Sequence, residues 1–241
     1  MSLAGEPEGV LLVDKPRGPT SHDVVGRIRR LYGTRRVGHA GTLDPMATGL
    51  LVILVGKATK ASAYLMSQDK AYEAELTLGV VTDSQDAEGE VRETHPVPPL
   101  DEAGIRAAMA TMLGDQYQTP PMHSARKVNG VPLYKLAHKG LEVEREPRFI
   151  RVESMDLLRW TSPTLAFRTR CTKGTYVRTL GHDLGRKLGP GGQLSALRRT
   201  ASGRHTVEQA ATLEALEKMG AEERRARLIP LAEAVPSGAL G

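Results

Sequence analysis

Asp44 and His39 lie close together in GHAGTLDP (38–45), a segment that also holds Gly38 and Gly41. An aspartate kept ionised in a dry pocket can act as a nucleophile, and flanking glycines let backbone approach a ligand closely. An Asp before a Pro also commonly starts an Asx turn, so Asp44-Pro45 alone supports a plain turn as well. A second set stands in CTKGTYVRTLGHDLG (171–185), where a Lys-Gly-Thr turn leads into a helical pattern with Tyr176 and Arg178 at its start. A helix N-terminus suits anions such as RNA phosphate, whereas Arg178 could instead pair with a buried carboxylate and hold it ionised. Tyr72, in the strand pattern KAYEAEL, is open to packing or to a role against a ligand.

Several chemistries are excluded by pattern. The chain has no GxxxxGK[ST] phosphate loop, no GxGxxG after a strand, no HExxH and no GxSxG. Its seven histidines show no metal-ligand spacing, and Cys171 is the only cysteine. A lone thiol rules out an internal disulfide framework and fits a reducing cytoplasm.

The candidate residues need elements to hold them. GVLLVDKP (9–16) reads as a buried strand stopped by Pro16. Ser21 reads as the N-cap of a helix over about 22–32, with Val24, Val25, Ile28 and Leu31 on one face and Gly33 at its end. Residues 35–49 look too rich in Gly and Pro for regular structure, and LLVILVG (50–56) follows as a buried strand. KAYEAELTLG (70–79) alternates as a strand, TDSQDAEGE is a turn-rich acidic loop, and residues 100–113 suit a helix. Residues 115–148, with Pro120, Pro121, Gly130, Pro132 and Gly140, read as a long irregular excursion. FIRVESMDLLRW and TLAFRTRCT form a hairpin pattern, YVRTLGHDLGRKLG (176–189) a helix, and Thr206 a cap for a helix near 207–219. Strands and helices mix without a regular βαβ repeat, which favours an α+β fold in a single domain with one large inserted loop.

The 241 residues are 40% hydrophobic and 25% charged, an ordinary globular composition. No apolar run of membrane-spanning length occurs, and MSLAGEPEGV lacks the layout of a signal peptide. Net charge is +5, and its distribution is uneven. Residues 15–36 hold seven Lys/Arg, residues 168–204 hold nine against one acid, and residues 69–102 hold two against ten. Two basic blocks suggest a polyanionic partner, although scattered solvated charge gives the same totals.

Taken in order, these segments resemble the bacterial tRNA pseudouridine-55 synthases of the TruB type. GVLLVDKPRGPTSHDVV (9–25) is similar to the family's opening strand and helix, and GHAGTLDPMATGLL (38–51) to its catalytic motif. DKAYEAELTLGVVTDSQDAEGE (69–90), CTKGTYVRTLGHDLG and GGQLSALRRTASG (191–203) are similar to the later ones. The resemblance implies Asp44 as the nucleophile and Tyr72 as the ring stacked on a flipped uracil and candidate for proton abstraction. It implies Arg178 as the partner of the aspartate, Tyr176 and Leu197 as pocket walls, and His39 as the filler of space left by flipped bases. The implied fold is a mixed, largely antiparallel central sheet with flanking helices and a thumb-like insertion at 115–148 that clamps RNA.

The implied reaction breaks the N1 glycosidic bond of uridine 55 in the tRNA T-loop, rotates the base and rejoins it at C5. Such an isomerisation needs no cofactor and no metal. Whether Asp44 attacks sugar or base stays open. The expected partner is the tRNA T-stem-loop, bound by a cytoplasmic monomer without membrane contact. Many family members continue into a C-terminal PUA domain; the sequence ends shortly after LIPLAEAVP, which the resemblance leaves open to a short natural form or a cut C-terminus. The rival readings are a catalytically silent RNA binder or tRNA chaperone on the same scaffold, and a synthase directed to ribosomal RNA by guide RNA. A small-molecule enzyme is disfavoured by the missing phosphate and cofactor motifs.

Overall fold

The structure is a computed structural model that describes residues 5–236. The first four residues of the opening stretch read above lie outside the described residues, as do 237–241.

In chain order the elements are β1 Gly9–Lys15, α1 Ser21–Tyr32, β2 Val37–His39, β3 Thr48–Val55, α2 Ser62–Met66 and β4 Lys70–Leu78. A short pair, β5 Val80–Thr82 and β6 Val91–Thr94, precedes α3 Glu102–Ala110 and β7 Gly114–Gln118. Next come β8 Lys127–Val128, β9 Val131–Pro132 and α4 Leu133–Ala137. The long hairpin β10 Arg148–Thr161 and β11 Thr164–Cys171 leads to α5 Val177–Leu188 and β12 Gly192–Ser202. The chain closes with β13 His205–Thr206, β14 Ala211–Thr212, α6 Leu213–Lys218, α7 Ala221–Ala226 and α8 Leu231–Ala234. Most strand pairings are antiparallel, and helices accompany them throughout, which is the α+β class expected from the pattern.

Contacts divide the chain into two compact units, residues 1–72 with 198–241, and residues 73–197. The division falls within β4 and β12, so each of these strands contributes to both units.

In the first unit β3 is central. It pairs antiparallel with β1 from Gly9↔Val55 to Lys15↔Gly49, and antiparallel with β2 on its other side from Val37↔Val55 to His39↔Ile53. Its Thr48–Gly49 end runs parallel to Arg198–Arg199 of β12. A strand flanked on both edges and covered on both faces has no solvated side, which accounts for the unbroken apolar run of LLVILV. Leu12, Leu50, Val52 and Leu54 pack with Ala58, Leu65 and Val235 in a buried cluster. Burying each Leu or Val there is worth about 1.5–3 kcal/mol.

Two details depart from the pattern reading. Val37–His39 form β2, because that edge of β3 offers hydrogen bonds which a short Gly-containing segment can take. The N-cap of α1 is Thr20, not Ser21: its hydroxyl accepts from the Asp23 N–H at 3.1 Å while the Asp23 carboxylate accepts from the Thr20 N–H at 2.9 Å. That reciprocal capping box frees Ser21 for another task. Gly33 ends the helix in the left-handed region at φ 64°, as expected.

In the second unit the strand order is β4-β11-β10-β7, and the first half of β12 lies beside β4. Leu76, Leu78, Ile105, Phe167, Leu180 and Leu194 supply its interior. The excursion expected at 115–148 begins and ends in this sheet, since Gly114–Gln118 pair with Arg148–Val152. Asp115 and Tyr117 alternate with Gln116 and Gln118, a strand pattern in a stretch otherwise dominated by Pro and Gly. The segment 119–147 that remains carries the β8–β9 hairpin and α4. The helix expected near 207–219 is split: Thr206 caps one 3-10 turn, Val207–Gln209, and Thr212 caps α6.

Candidate active site

The segment 40–49 has no regular structure of its own, yet its backbone is held at several points. Ser21, on the first turn of α1, accepts the Leu43 N–H at 2.8 Å and donates to the Leu43 carbonyl at 3.0 Å. The fully buried Lys15 ammonium, at the end of β1, donates to the carbonyls of Pro16, Pro19 and Pro45 at 2.9, 2.8 and 3.3 Å. Arg199, equally buried on β12, donates to the carbonyls of Leu50, Thr42 and Gly41 at 2.7, 3.3 and 3.2 Å. The residues immediately before and after Asp44 are therefore both fixed. Asp44 itself is half-buried, and its carbonyl accepts the Ala47 N–H at 3.1 Å.

Fixing Thr42, Leu43 and Pro45 by charged and hydroxyl donors costs no further ordering when a substrate arrives, which is the preorganisation that a reacting carboxylate requires. Gly49 shows how tight the arrangement is. It sits at φ 98°, and a Cβ there would stand 2.8 Å from the Arg199 backbone nitrogen. A side chain would push β3 and β12 apart at the very residue that trusses the loop.

His39 ends β2 on the same unit. Burial first, and then the nearby Arg199 guanidinium, hold its imidazole below the ordinary histidine range. It is therefore a neutral ring at neutral pH. Tyr72 is buried on β4.

The remaining three candidates lie on the second unit. Arg178, on the first turn of α5, is 3% exposed. Its guanidinium donates to the carbonyls of Ser84 and His123, each at 2.6 Å, and lies 3.4 Å from the Asp86 carboxylate. Asp86 is buried too, and accepts from the Ser84 hydroxyl at 2.6 Å and the Glu88 N–H at 3.0 Å. Tyr176 caps α5 without a side-chain cap of its own, and Leu197 is buried on β12. The structure thus sets His39, Asp44 and Tyr72 on the first unit, and Tyr176, Arg178 and Leu197 on the second.

Pattern reading overlooked Asp86, Lys15, Arg199 and Ser21. Asp86 sits in a run of acids that reads as solvated loop, and only its burial beside a guanidinium distinguishes it. Lys15 and Arg199 fall in the basic blocks, where composition counts them as surface charge. Their one local signal is alternation: each lies two residues from a buried apolar side chain of its strand, Val13 and Leu197, and so shares that inward face. Among the described residues no three His, Cys, Asp or Glu side chains cluster as a metal site would require, and no helix is long and apolar enough to cross a membrane.

The fold has solved counterparts. It superposes on a chain of a Cbf5–Nop10–Gar1 complex with a TM-score of 0.74 at 30% identity, covering 94% of this chain and 61% of that one. It superposes likewise on a chain of the archaeal box H/ACA sRNP Nop10–Cbf5 complex, with a TM-score of 0.71 at 28% identity over 95% of this chain and 62% of that one. The chain thus spans about three fifths of those solved chains. The scaffold is that of the pseudouridine synthases, a class of isomerase.

The chain belongs to the TruB family of pseudouridylate synthases. The model of that family's N-terminal domain matches residues 29–177, and the model of the tRNA pseudouridylate synthase B C-terminal domain matches residues 178–235. The tRNA pseudouridine synthase B of Opitutus terrae is 63% identical over 232 residues, 96% of both chains. That of Syntrophotalea carbinolica is 51% identical over 94% of this chain and 74% of its own length.

Proposed function

We propose that this chain isomerises uridine 55 in the T-loop of tRNA to pseudouridine, with Asp44 as the nucleophile. The observation that carries the reading is the 63% identity to a tRNA pseudouridine synthase B over nearly the whole of both chains. It is supported by an Asp44 whose flanking backbone is fixed by Ser21, Lys15 and Arg199.

In this reading the target uridine leaves its stack, at a cost of a few kcal/mol in order of magnitude. Stacking on Tyr72 returns about 1–3 kcal/mol. Asp44 forms a transient bond as the N1 glycosidic bond breaks, the base turns, the C1′–C5 bond closes with release of Asp44, and the C5 proton passes to Tyr72 while N1 takes up a proton. Nothing is gained or lost overall, so the reaction is an isomerisation. Arg178 takes the arginine role of the family motif, its own direction set by Ser84, His123 and Asp86. Tyr176 and Leu197 line the uracil pocket, and a neutral His39 fills space beside the flipped base without adding charge. Residues 115–148 act as a thumb on the RNA, the chain works as one catalytic domain and as a monomer in the cytoplasm, and phosphate contacts make binding weaken with salt.

The test is tritium release from tRNA carrying 5-tritiated uridine. Release by the wild type, none by Asp44→Asn, and none from a transcript with cytidine at the T-loop position would support the reaction, its site and the need for Asp44. Binding of tRNA without release would favour the chaperone reading and remove the catalytic roles.

A further inference from the structure

Helix α5 begins without a side-chain cap, although it carries Arg178 on its first turn. The first N–H groups of a helix have no partner inside it, and a buried helix start must find one elsewhere. Here the partner comes from a distant strand. Gln118, the last residue of β7 and 5% exposed, accepts the Tyr176 N–H on Oε1 at 2.8 Å and donates from Nε2 to the Tyr176 carbonyl at 3.1 Å. Only one orientation of the carboxamide satisfies both groups, so its oxygen and nitrogen are unambiguous. The same Tyr176 carbonyl accepts the first helical bond, from the Leu180 N–H at 3.1 Å. One buried side chain therefore fixes both polar groups of the residue from which the helix register starts.

We propose that Gln118 is a positioning residue for catalysis, holding Tyr176 and the start of α5 in the geometry that the uracil pocket requires. The inference rests on the functional reading above, in which Tyr176 is a pocket wall. Gln118 is also the residue from which the segment 119–147 departs, and five residues further on the His123 carbonyl accepts from Arg178 at 2.6 Å. The root of the insertion is thus tied to both α5 residues assigned to the site. A mere strand-end residue would need neither bond to Tyr176, since a two-point clamp removes rotation as well as translation and a single contact would serve to pack it.

The test exploits an isostere. In Gln118→Glu the carboxylate still accepts from the Tyr176 N–H but opposes the Tyr176 carbonyl with a second lone pair. Protonation of that carboxyl restores a donor, and burial raises its titration toward the assay range. Two cations near this point matter for that titration. Arg148, the cross-strand neighbour, is exposed, and Arg178 is already engaged by Ser84, His123 and Asp86.

Single-turnover tritium release at pH 8 should be about tenfold to a hundredfold slower in Gln118→Glu, the scale expected when a group moves by a fraction of an ångström to one ångström. The Kd for a T-arm RNA should stay within about threefold of wild type, since the clamp touches no phosphate. The ratio of variant to wild-type rate should rise as pH falls from 8 to 6, and Gln118→Met, of similar volume but unable to donate or accept, should be slow with no such rise. Wild-type rates in Gln118→Glu, a flat ratio across that range, or a loss confined to affinity would overturn the positioning role. If Gln118→Glu fails to fold, the rate-against-affinity split of Gln118→Met decides alone. Absence of release by the wild type is a separate result: it overturns the functional reading, and with it the pocket that Gln118 serves.

Discussion

Ser21→Ala is the sharpest single test of how the loop around Asp44 is held. The hydroxyl makes two hydrogen bonds to one residue, at 2.8 Å from the Leu43 N–H and 3.0 Å to the Leu43 carbonyl. Both Ser21 and Leu43 are nearly fully buried, at 2% and 4% exposure, so water does not replace the lost partner. Leaving a buried donor and a buried acceptor unsatisfied costs about 1–3 kcal/mol each before relaxation. Alanine recovers roughly 0.5 kcal/mol of helix propensity, and the void left by one oxygen adds little. The net loss is about 2 kcal/mol. Because the chain forms two compact units, a global midpoint mixes their contributions. A local readout is cleaner. Hydrogen exchange at the Leu43 amide should quicken about thirtyfold, the equivalent of that free energy, while amides of α3 in the other unit keep their rates. The neighbouring Asp44 should lose rate with little change in RNA affinity. Leu43 exchange within about twofold of wild type, together with unaltered turnover, would refute the argument that Ser21 fixes the loop.

Three further outcomes follow from the same geometry. Arg178→Met should destabilise by about 3–5 kcal/mol, because it strands the buried Asp86 carboxylate and two carbonyls; a thermal midpoint within a degree of wild type would count against that network. His39, His182 and His205 are all held below the ordinary histidine value of 6.5, each chiefly by burial. The unfolded chain therefore binds more protons than the folded one as pH drops, so their contribution is complete above about pH 6.5 and is lost as pH falls through and below it. The urea midpoint should decline from pH 7.5 to 5.5, and a midpoint that holds or rises would contradict the sign. Glu93, which accepts from both Arg186 nitrogens and pairs with His95, is pushed down to about 2, so a second loss belongs between pH 4.5 and 2 and should vanish in Glu93→Gln.

Much of this molecule was legible before any coordinates, and the reason is periodicity. The apolar run of β3, the alternation of β4 and the one-sided face of α1 are local signals that tertiary structure had no cause to override. The errors came where two local signals competed. Thr20 and Ser21 are both good caps, and the choice was made by Asp23, which can close a capping box only with Thr20. Val37–His39 became a strand because β3 offered an edge, which no window centred on GHAG contains. Gly114–Gln118 was hidden by the prolines that follow it.

Charge was the least legible property, and the reason bears on function. Summed along the chain, residues 168–204 look like an RNA-binding face, with nine Lys/Arg. In the fold, Arg168, Arg170, Arg186 and Arg198 face Asp156, Glu153, Glu93 and Asp14. Arg178 and Arg199 are buried and spend their donors on backbone carbonyls. Lys173, Lys187 and Arg204 are exposed and lack an ion pair among the described residues. Exposed pairs exchange partners at little cost, since each is worth about 0–1 kcal/mol. A buried guanidinium cannot turn to a phosphate without abandoning the carbonyls it satisfies. Two of the nine cations in that block are therefore structural, and the basic count measures two quantities at once: the charge available to a polyanion, and the rigid donors that hold the loop around Asp44 and the start of α5 in shape.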